Sequence, residues 1–133
     1  MNKQIFVNLA VKDLNKSKAF FEALGYSFNP QFTNDSGACM VINEGSIYAM
    51  LLTHEFFKSF IDKQIAQANE VTEVLTCLSS ESREEVDQMV AKAVAAGGKA
   101  HRQPQDHGFM YAHGFEDLDG HIWELAYMSK QPN

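Results

Sequence analysis

Arginine is scarce: Arg83 and Arg102 are the only two in 133 residues. Lysine and arginine together number 11 against 17 aspartates and glutamates, for a formal net charge of −6. A chain so poor in cationic side chains lacks the basic surface that releases counterions from nucleic acid, and it is ill suited to an anionic membrane surface. Cysteine is almost as sparse. Cys39 and Cys77 have no metal-type spacing, which excludes a disulfide-built scaffold and a paired-cysteine zinc module. Both lie in apolar, strand-like runs and are expected as buried thiols. No apolar run approaches the roughly eighteen residues of a membrane-spanning helix. No phosphate loop, dinucleotide fingerprint or nucleophile elbow occurs. The first four residues lead straight into a strand-like run, without a signal-type apolar segment and cleavage site, so the expectation is a cytoplasmic protein.

What is present suffices for a core: 45% of residues are apolar and ten are phenylalanine. The length suits one domain. Residues 5–11 alternate, with Ile5, Val7, Leu9 and Val11 on one face and Phe6, Asn8 and Ala10 on the other, the pattern of a half-buried strand. Asp13 or Asn15 caps a helix carrying Ala19, Phe20, Phe21 and Leu24, and Gly25 stops it. Residues 26–32 read as an edge strand interrupted by Pro30. Strands at 38–42 and 46–52 follow, joined through Asn43-Glu44-Gly45. Phe56, Phe57, Phe60, Ile61 and Ile65 then recur at helical spacing, predicting an amphipathic connecting helix over about 54–69.

After it the order begins again. Residues 72–79 read as a strand. Ser82, with Glu85 three residues on, is a capping box for a helix whose buried stripe is Val86, Met89, Val90, Ala93 and Val94. Gly97-Gly98 ends that helix, 99–103 is the next strand, and a loop runs through Pro104 to Gly108. Strands at 109–116 and 121–128 form a terminal hairpin. Residues 1–133 therefore form a single α+β domain of two β-α-β-β-β modules, the first at about 4–53 and the second at about 70–129. The repeat rests on the order of elements, not on matching letters.

The hairpin turn, Asp117-Leu118-Asp119-Gly120, has the chemistry of its type: Asp side chains bond their own backbone and glycine accepts φ > 0. Glu124 is the unusual residue. A carboxylate among Ile122, Trp123 and Leu125 is costly to bury without a partner. Parity puts it across the sheet from His121, Trp123 and Leu125, on a face that must tolerate a charge.

Two such modules, with LAVKDLNKSKAFFEALGYSFNPQF near the start and PQDHGFMYAHGFEDLDGHIWEL near the end, resemble the vicinal oxygen chelate superfamily. It includes glyoxalase I, extradiol dioxygenases, fosfomycin-resistance enzymes and bleomycin-resistance proteins. The sequence is similar to a bacterial subfamily labelled predicted lactoylglutathione lyase. The resemblance implies a curled mixed sheet around a cleft with helices outside, a homodimer, and in metal-dependent members a divalent ion held from the first and last strands of each module. Those ligand positions fall on Phe6, near Met50, on a second-module strand that offers only Glu73, and on Glu124. Only Glu124 matches in position and chemistry. Phenylalanine offers no donor and thioether suits Cu(I), so a zinc, nickel or iron site of three or four donors is mostly gone.

The candidates follow from these readings. Glu124 is a relic metal ligand, a general base whose pKa burial would raise, or a partner of a neighbouring cation. His113 shares a face with Phe109, Tyr111 and Phe115. If that face lines the cleft, His113 and Glu124 form an acid/base couple; if it meets the helices, His113 is a core histidine. His121 reads as a turn or core histidine, and His107 lies on a loop at the mouth, where function concentrates. Phe6, Asn8, Tyr48, Met50, His107 and Tyr111 are the expected lining of a small-molecule cleft. Two functions remain open at this point: a metal-free binding protein with an apolar cleft, or a divalent-metal-dependent lyase or dioxygenase with a relocated site built on Glu124 and His107 or His113.

Overall fold

The computed structural model describes residues 2–129, and the predicted repeat is there in its element order. One unit ends at Gln67 and the next begins at Ala68. Within the first, β1 (Ile5–Val11) leads to α1 (Leu14–Ala23), β2 (Ser27–Asn29), one 3₁₀ turn (Pro30–Phe32), β3 (Gly37–Asn43), β4 (Ile47–Thr53) and the short α2 (His54–Lys58). Within the second, β5 (Thr76–Ser79) leads to α3 (Arg83–Ala95), β6 (Lys99–Asp106), β7 (Met110–Glu116) and β8 (Ile122–Met128). Each unit holds a four-stranded mixed sheet, ordered β1-β4-β3-β2 and β5-β8-β7-β6. In both, the first strand pairs parallel to the last and the other pairings are antiparallel.

In the first unit, Asp13 caps α1 by accepting from the Lys16 amide at 3.1 Å, worth about 1 kcal/mol. The helix stops where Gly25, at φ +104°, lets the Tyr26 amide turn back to the Phe21 carbonyl. Leu14, Phe20 and Phe21 are buried, and α1 packs on β3 and β4, whose Ala38, Met40, Ala49 and Leu51 are wholly enclosed. These strand residues share the face of Val7, Leu9 and Val11, so the aliphatic stripe of β1 lies on the helix side as parity predicted.

In the second unit, the Ser82 hydroxyl accepts from the Glu85 amide at 3.1 Å, while the Glu85 carboxylate accepts from the Glu81 amide at 2.8 Å, one residue earlier than the capping box implies. Val86, Val90 and Ala93 bury their side chains, and Val94 points outward, 48% exposed. Phe115 and Trp123 lie opposite each other across β7 and β8 with rings stacked at 6.4 Å. With Leu125 they form the buried face on which α3 packs.

Five expectations are corrected. The connecting helix ends at Lys58, not near 69: the Ser59 amide and hydroxyl both turn back on the Phe56 carbonyl, and the Lys58 ammonium bonds the Lys63 carbonyl. The strand expected at 26–32 is cut to three residues, because Pro30 starts a 3₁₀ turn capped by Asn29. The strand expected at 72–79 begins only at Thr76, whereas β6 runs on through Pro104 to Asp106, which an edge strand allows. Cys39 is buried as expected, but Cys77 is exposed on the edge strand β5.

Candidate functional site

The first unit puts four of the expected lining residues on one sheet face, and of these Asn8 lines a cavity. Phe6 lies beside Tyr48 and Asn8 beside Met50 in the parallel register of β1 and β4, so all four share the sheet face away from α1. The rings of Phe6 and Tyr48 stack at 4.8 Å and 9°, while Phe6 stays 47% exposed. The Tyr48 hydroxyl accepts from the Gly45 amide at 2.9 Å, which fixes the ring at the end of its strand. Across the same face, α2 and the turn after it supply Phe57, Phe60 and Ile61. With Asn8 and Leu52 they enclose an open cavity of about 390 Å³. Phe56 and Phe60 meet edge-to-face at 5.0 Å and brace its wall. Asn8 supplies the amide in an otherwise apolar lining; its Nδ2 makes only a long 3.5 Å contact to the Phe6 carbonyl.

The second unit builds a different hollow around Glu124. Register places Cys77, Glu124, Gly114 and His101 in one row across β5, β8, β7 and β6. Gly114 makes the row possible. A Cβ there would stand 2.7 Å from the Trp123 carbonyl oxygen and 3.4 Å from the Glu124 Cγ, so the missing side chain leaves the glutamate room to lie over β7. Glu124, His101, Arg102, Gln103 and Gln105 surround an open hollow of about 50 Å³. Though Cys77 is exposed, partial desolvation of its thiol raises the pKa, and the Glu124 charge beside it adds to the rise.

The same register separates the expected acid/base couple. His113 pairs with Leu125, not with Glu124, and so belongs to the face of Phe115 and Trp123 that meets α3. Its Nε2–H donates to the Arg102 carbonyl at 3.1 Å, so only its edge reaches the hollow. Tyr111 is also on the α3 side rather than on the Glu124 face. Its hydroxyl donates to Asp87 at 2.6 Å and its ring lies under the Arg83 guanidinium at 5.0 Å. Arg83 in turn grips Asp106 through two bonds of 2.8 and 3.1 Å and reaches the Gly108 carbonyl. That clasp holds the Asp106 carboxyl at a pKa of about 2, helped by the Gly108 amide. His107 sits on the loop so held, exposed, with its amide bonded to the Met110 carbonyl.

Asp117 carries more than turn chemistry. It is buried, and its two oxygens accept from the Asp119 and His121 amides at 3.0 Å and from the Trp123 indole at 3.1 Å. Burial pushes its pKa up, while the neighbouring His121 and the three N–H donors pull against the rise. It is a structural anchor that fixes the strand carrying Glu124.

Residues 3–43 match a family model described as bleomycin resistance protein-like N-terminal. A hypothetical protein from S. aureus is 31% identical, with 96% of this chain and 95% of that one covered and a TM-score of 0.78. The chain has the fold of the glyoxalase/bleomycin-resistance/dioxygenase proteins. A glyoxalase-related enzyme from Fulvimarina pelagi shares its fold at 21% identity, with 99% and 92% covered and a TM-score of 0.80. So does a fosfomycin resistance protein from Listeria monocytogenes, at 20% identity, 100% and 96% covered, and a TM-score of 0.67. No protein among curated sequences matches it.

The shared fold and the resemblance of the sequence raise the question of a metal, and the residues present do not fit one. Among the described residues no group of three or more His, Cys, Asp and Glu side chains is placed to hold an ion. Phe6 and Met50 stand where donors are expected, and Glu73 lies before β5 begins, outside the row that holds Glu124. Four polar residues of the Glu124 hollow escaped the sequence reading as site residues: His101, Arg102, Gln103 and Gln105. The chain has three residues, 102–104, opposite the single His113, and this bulge sets which side chains of β6 face Glu124. Arg102 at φ +63° marks it, and backbone strain of that kind has no signature in the letters of an arginine.

Proposed function

We propose that this chain is a member of the glyoxalase/bleomycin-resistance/dioxygenase superfamily and a small-molecule binding protein of the cytoplasm, taking a flat or aliphatic ligand in the first-unit cavity without a metal. One observation carries the reading: a cavity of about 390 Å³ lined by Leu52, Phe57, Phe60 and Ile61, with one amide, Asn8, to orient the ligand. Volumes of roughly 300–1,000 Å³ with a mostly apolar wall and a few polar groups are typical of ligand pockets. The family model's name and the resistance protein among the structural neighbours make bleomycin and fosfomycin sensible first ligands, alongside the fluorescent probe 1-anilinonaphthalene-8-sulfonate.

The test is fluorescence and calorimetric titration of the full chain with these three compounds, repeated on Phe60→Ala. Phe60 is 66% exposed, so its truncation leaves the core intact. Saturable one-to-one binding weakened about tenfold by the variant, equivalent to about 1.4 kcal/mol of lost ring contact, supports the reading. Binding that Phe60→Ala leaves unchanged overturns it for this cavity. The lactoylglutathione lyase and dioxygenase readings need a metal centre. Near-stoichiometric nickel, zinc, manganese or iron in untagged protein, lost on Glu124→Ala, would bring them forward.

A further inference from the structure

The second unit holds two opposite charges that line one hollow without pairing with each other. Glu124 is half-buried and Arg102 is exposed, and both line the hollow of about 50 Å³. Among the described residues neither side chain has a hydrogen-bond or ion-pair partner; the ion pair present is Arg83 with Asp106. An arginine and a carboxylate beside one hollow would ordinarily close on each other. Here the backbone holds the arginine in place: Arg102 is at φ +63° in the bulge of β6, and the His113 ring donates to its carbonyl at 3.1 Å. A non-glycine residue kept in that conformation by its surroundings stores strain of the kind found at ligand clamps.

The floor between the charges is made of small residues. By register Ala112, Gly114 and Ala126 share the face of Glu124, with Gln105 and His101 beyond them on β6. A lone anion placed there would gain Arg102 and be repelled by Glu124; a lone cation would meet the reverse. Gln103 and Gln105 offer both a donor and an acceptor each, so they serve either charge. A group carrying both charges on neighbouring atoms satisfies the whole set.

We propose that the hollow around Glu124 and Arg102 is a subsite for a zwitterionic α-amino acid group, with the ammonium on Glu124 and the carboxylate on Arg102. Arginine matches a carboxylate with two parallel N–H bonds, and a carboxylate accepts from an ammonium in a charge-assisted bond. The hollow is small and open, so it takes the charged end of the ligand and leaves the remainder outside. This inference does not rest on the first-unit cavity and survives its failure.

Amide chemical shifts of the full chain report the site through Gly114, Gln103 and Gln105. The probes are glycine, Nε-acetyl-lysine, N-acetylglycine and glycinamide at constant ionic strength. Glycine carries the bare zwitterion and Nε-acetyl-lysine the same group on a larger molecule. N-acetylglycine lacks the ammonium and glycinamide lacks the carboxylate. Saturable shifts with either of the first two, at least fivefold weaker with both of the last two, support the proposal. Stronger binding of glycine indicates a free amino acid, and stronger binding of acetyl-lysine the amino acid end of a larger one. Glu124→Gln and Arg102→Gly each lose at least fivefold; glycine fits the φ of residue 102, so that variant keeps its fold, checked by its spectrum. Equal binding of N-acetylglycine, equal binding of glycinamide, no saturation with either zwitterion, or unchanged affinity in both variants overturns it.

Discussion

Glu124 owes its place to two neighbours that have no chemistry of their own to offer a ligand. Gly114 leaves the space it lies over, and Asp117 fixes the strand it stands on. Replacing Gly114 by alanine forces a Cβ to within 2.7 Å of the Trp123 carbonyl, and a paired backbone oxygen has nowhere to go. The expected cost is about 1–3 kcal/mol of stability, read by urea denaturation, with shifts in the Glu124 and Gln105 amides. Asp117→Ala strips the acceptor from two backbone amides and the indole, with an expected loss of about 2–4 kcal/mol. Asp117→Asn keeps one acceptor oxygen and should lose less. A pair of variants equal to wild type would mean that water serves these donors as well. The outward direction of Glu124 was readable from strict alternation in β8. The burial of Asp117 was not, since a turn aspartate bonding its own backbone carries the same letters whether it is buried or exposed.

Where strand and helix meet, the Arg83–Asp106 clasp ties the first turn of α3 to the loop after β6, with Tyr111 filling the space beneath the guanidinium. Its pH dependence has a definite sign. The Asp106 carboxyl titrates at about 2 in the fold against an ordinary 3.8. A carboxylate whose folded value is depressed stabilises the fold fully above 3.8, and that contribution fades as pH falls from 3.8 through about 2. A carboxyl-carbon NMR titration should place the Asp106 midpoint about a unit or more below that of the same residue in Arg83→Gln. Coincident midpoints would mean that the clasp is open in solution, as exposed pairs often are. The elements on either side show what sequence patterns carry and what they omit. Caps at Asp13 and Ser82, and stops at Gly25 and Gly97, were readable because each rests on a local backbone bond. The length of α2 was not, because aromatic residues at helical spacing serve equally well in a five-residue helix followed by turns that close a cavity. Nor was the bulge in β6, where Pro104 suggested a loop and the edge position permitted a strand.

The repeated order of elements was readable end to end, although the halves share few letters, since alternation, caps and glycine stops recur even where identities do not. What each half does with that order differs: the first lines its open sheet face with aromatic and aliphatic side chains, and the second with a carboxylate, histidine and amides. The sequence pointed to Glu124 with His107 or His113 as companions, but the register sets His113 on the opposite face and His107 lies on the loop after β6. No helix among the described residues is long and apolar enough to cross a membrane. The division between units near Gln67 and Ala68 has a mechanical consequence. Between the last turn after α2 and the start of β5 at Thr76, the chain forms no helix or strand and is exposed for most of its length. Proteases nick such exposed backbone preferentially, and loops of this kind open at little free-energy cost. Brief thermolysin digestion should therefore cut first within 62–75, with mass spectrometry finding two fragments of nearly equal size before any cut inside either sheet. Asn69 tempers this locally, since its backbone lies against Gly120 at 2.6 Å from where a Cβ would stand, so cuts should avoid 68–69 and fall on either side. First cuts inside the loop at 107–109 instead would show that the Arg83 clasp, not the connecting segment, is the weaker hold on the chain.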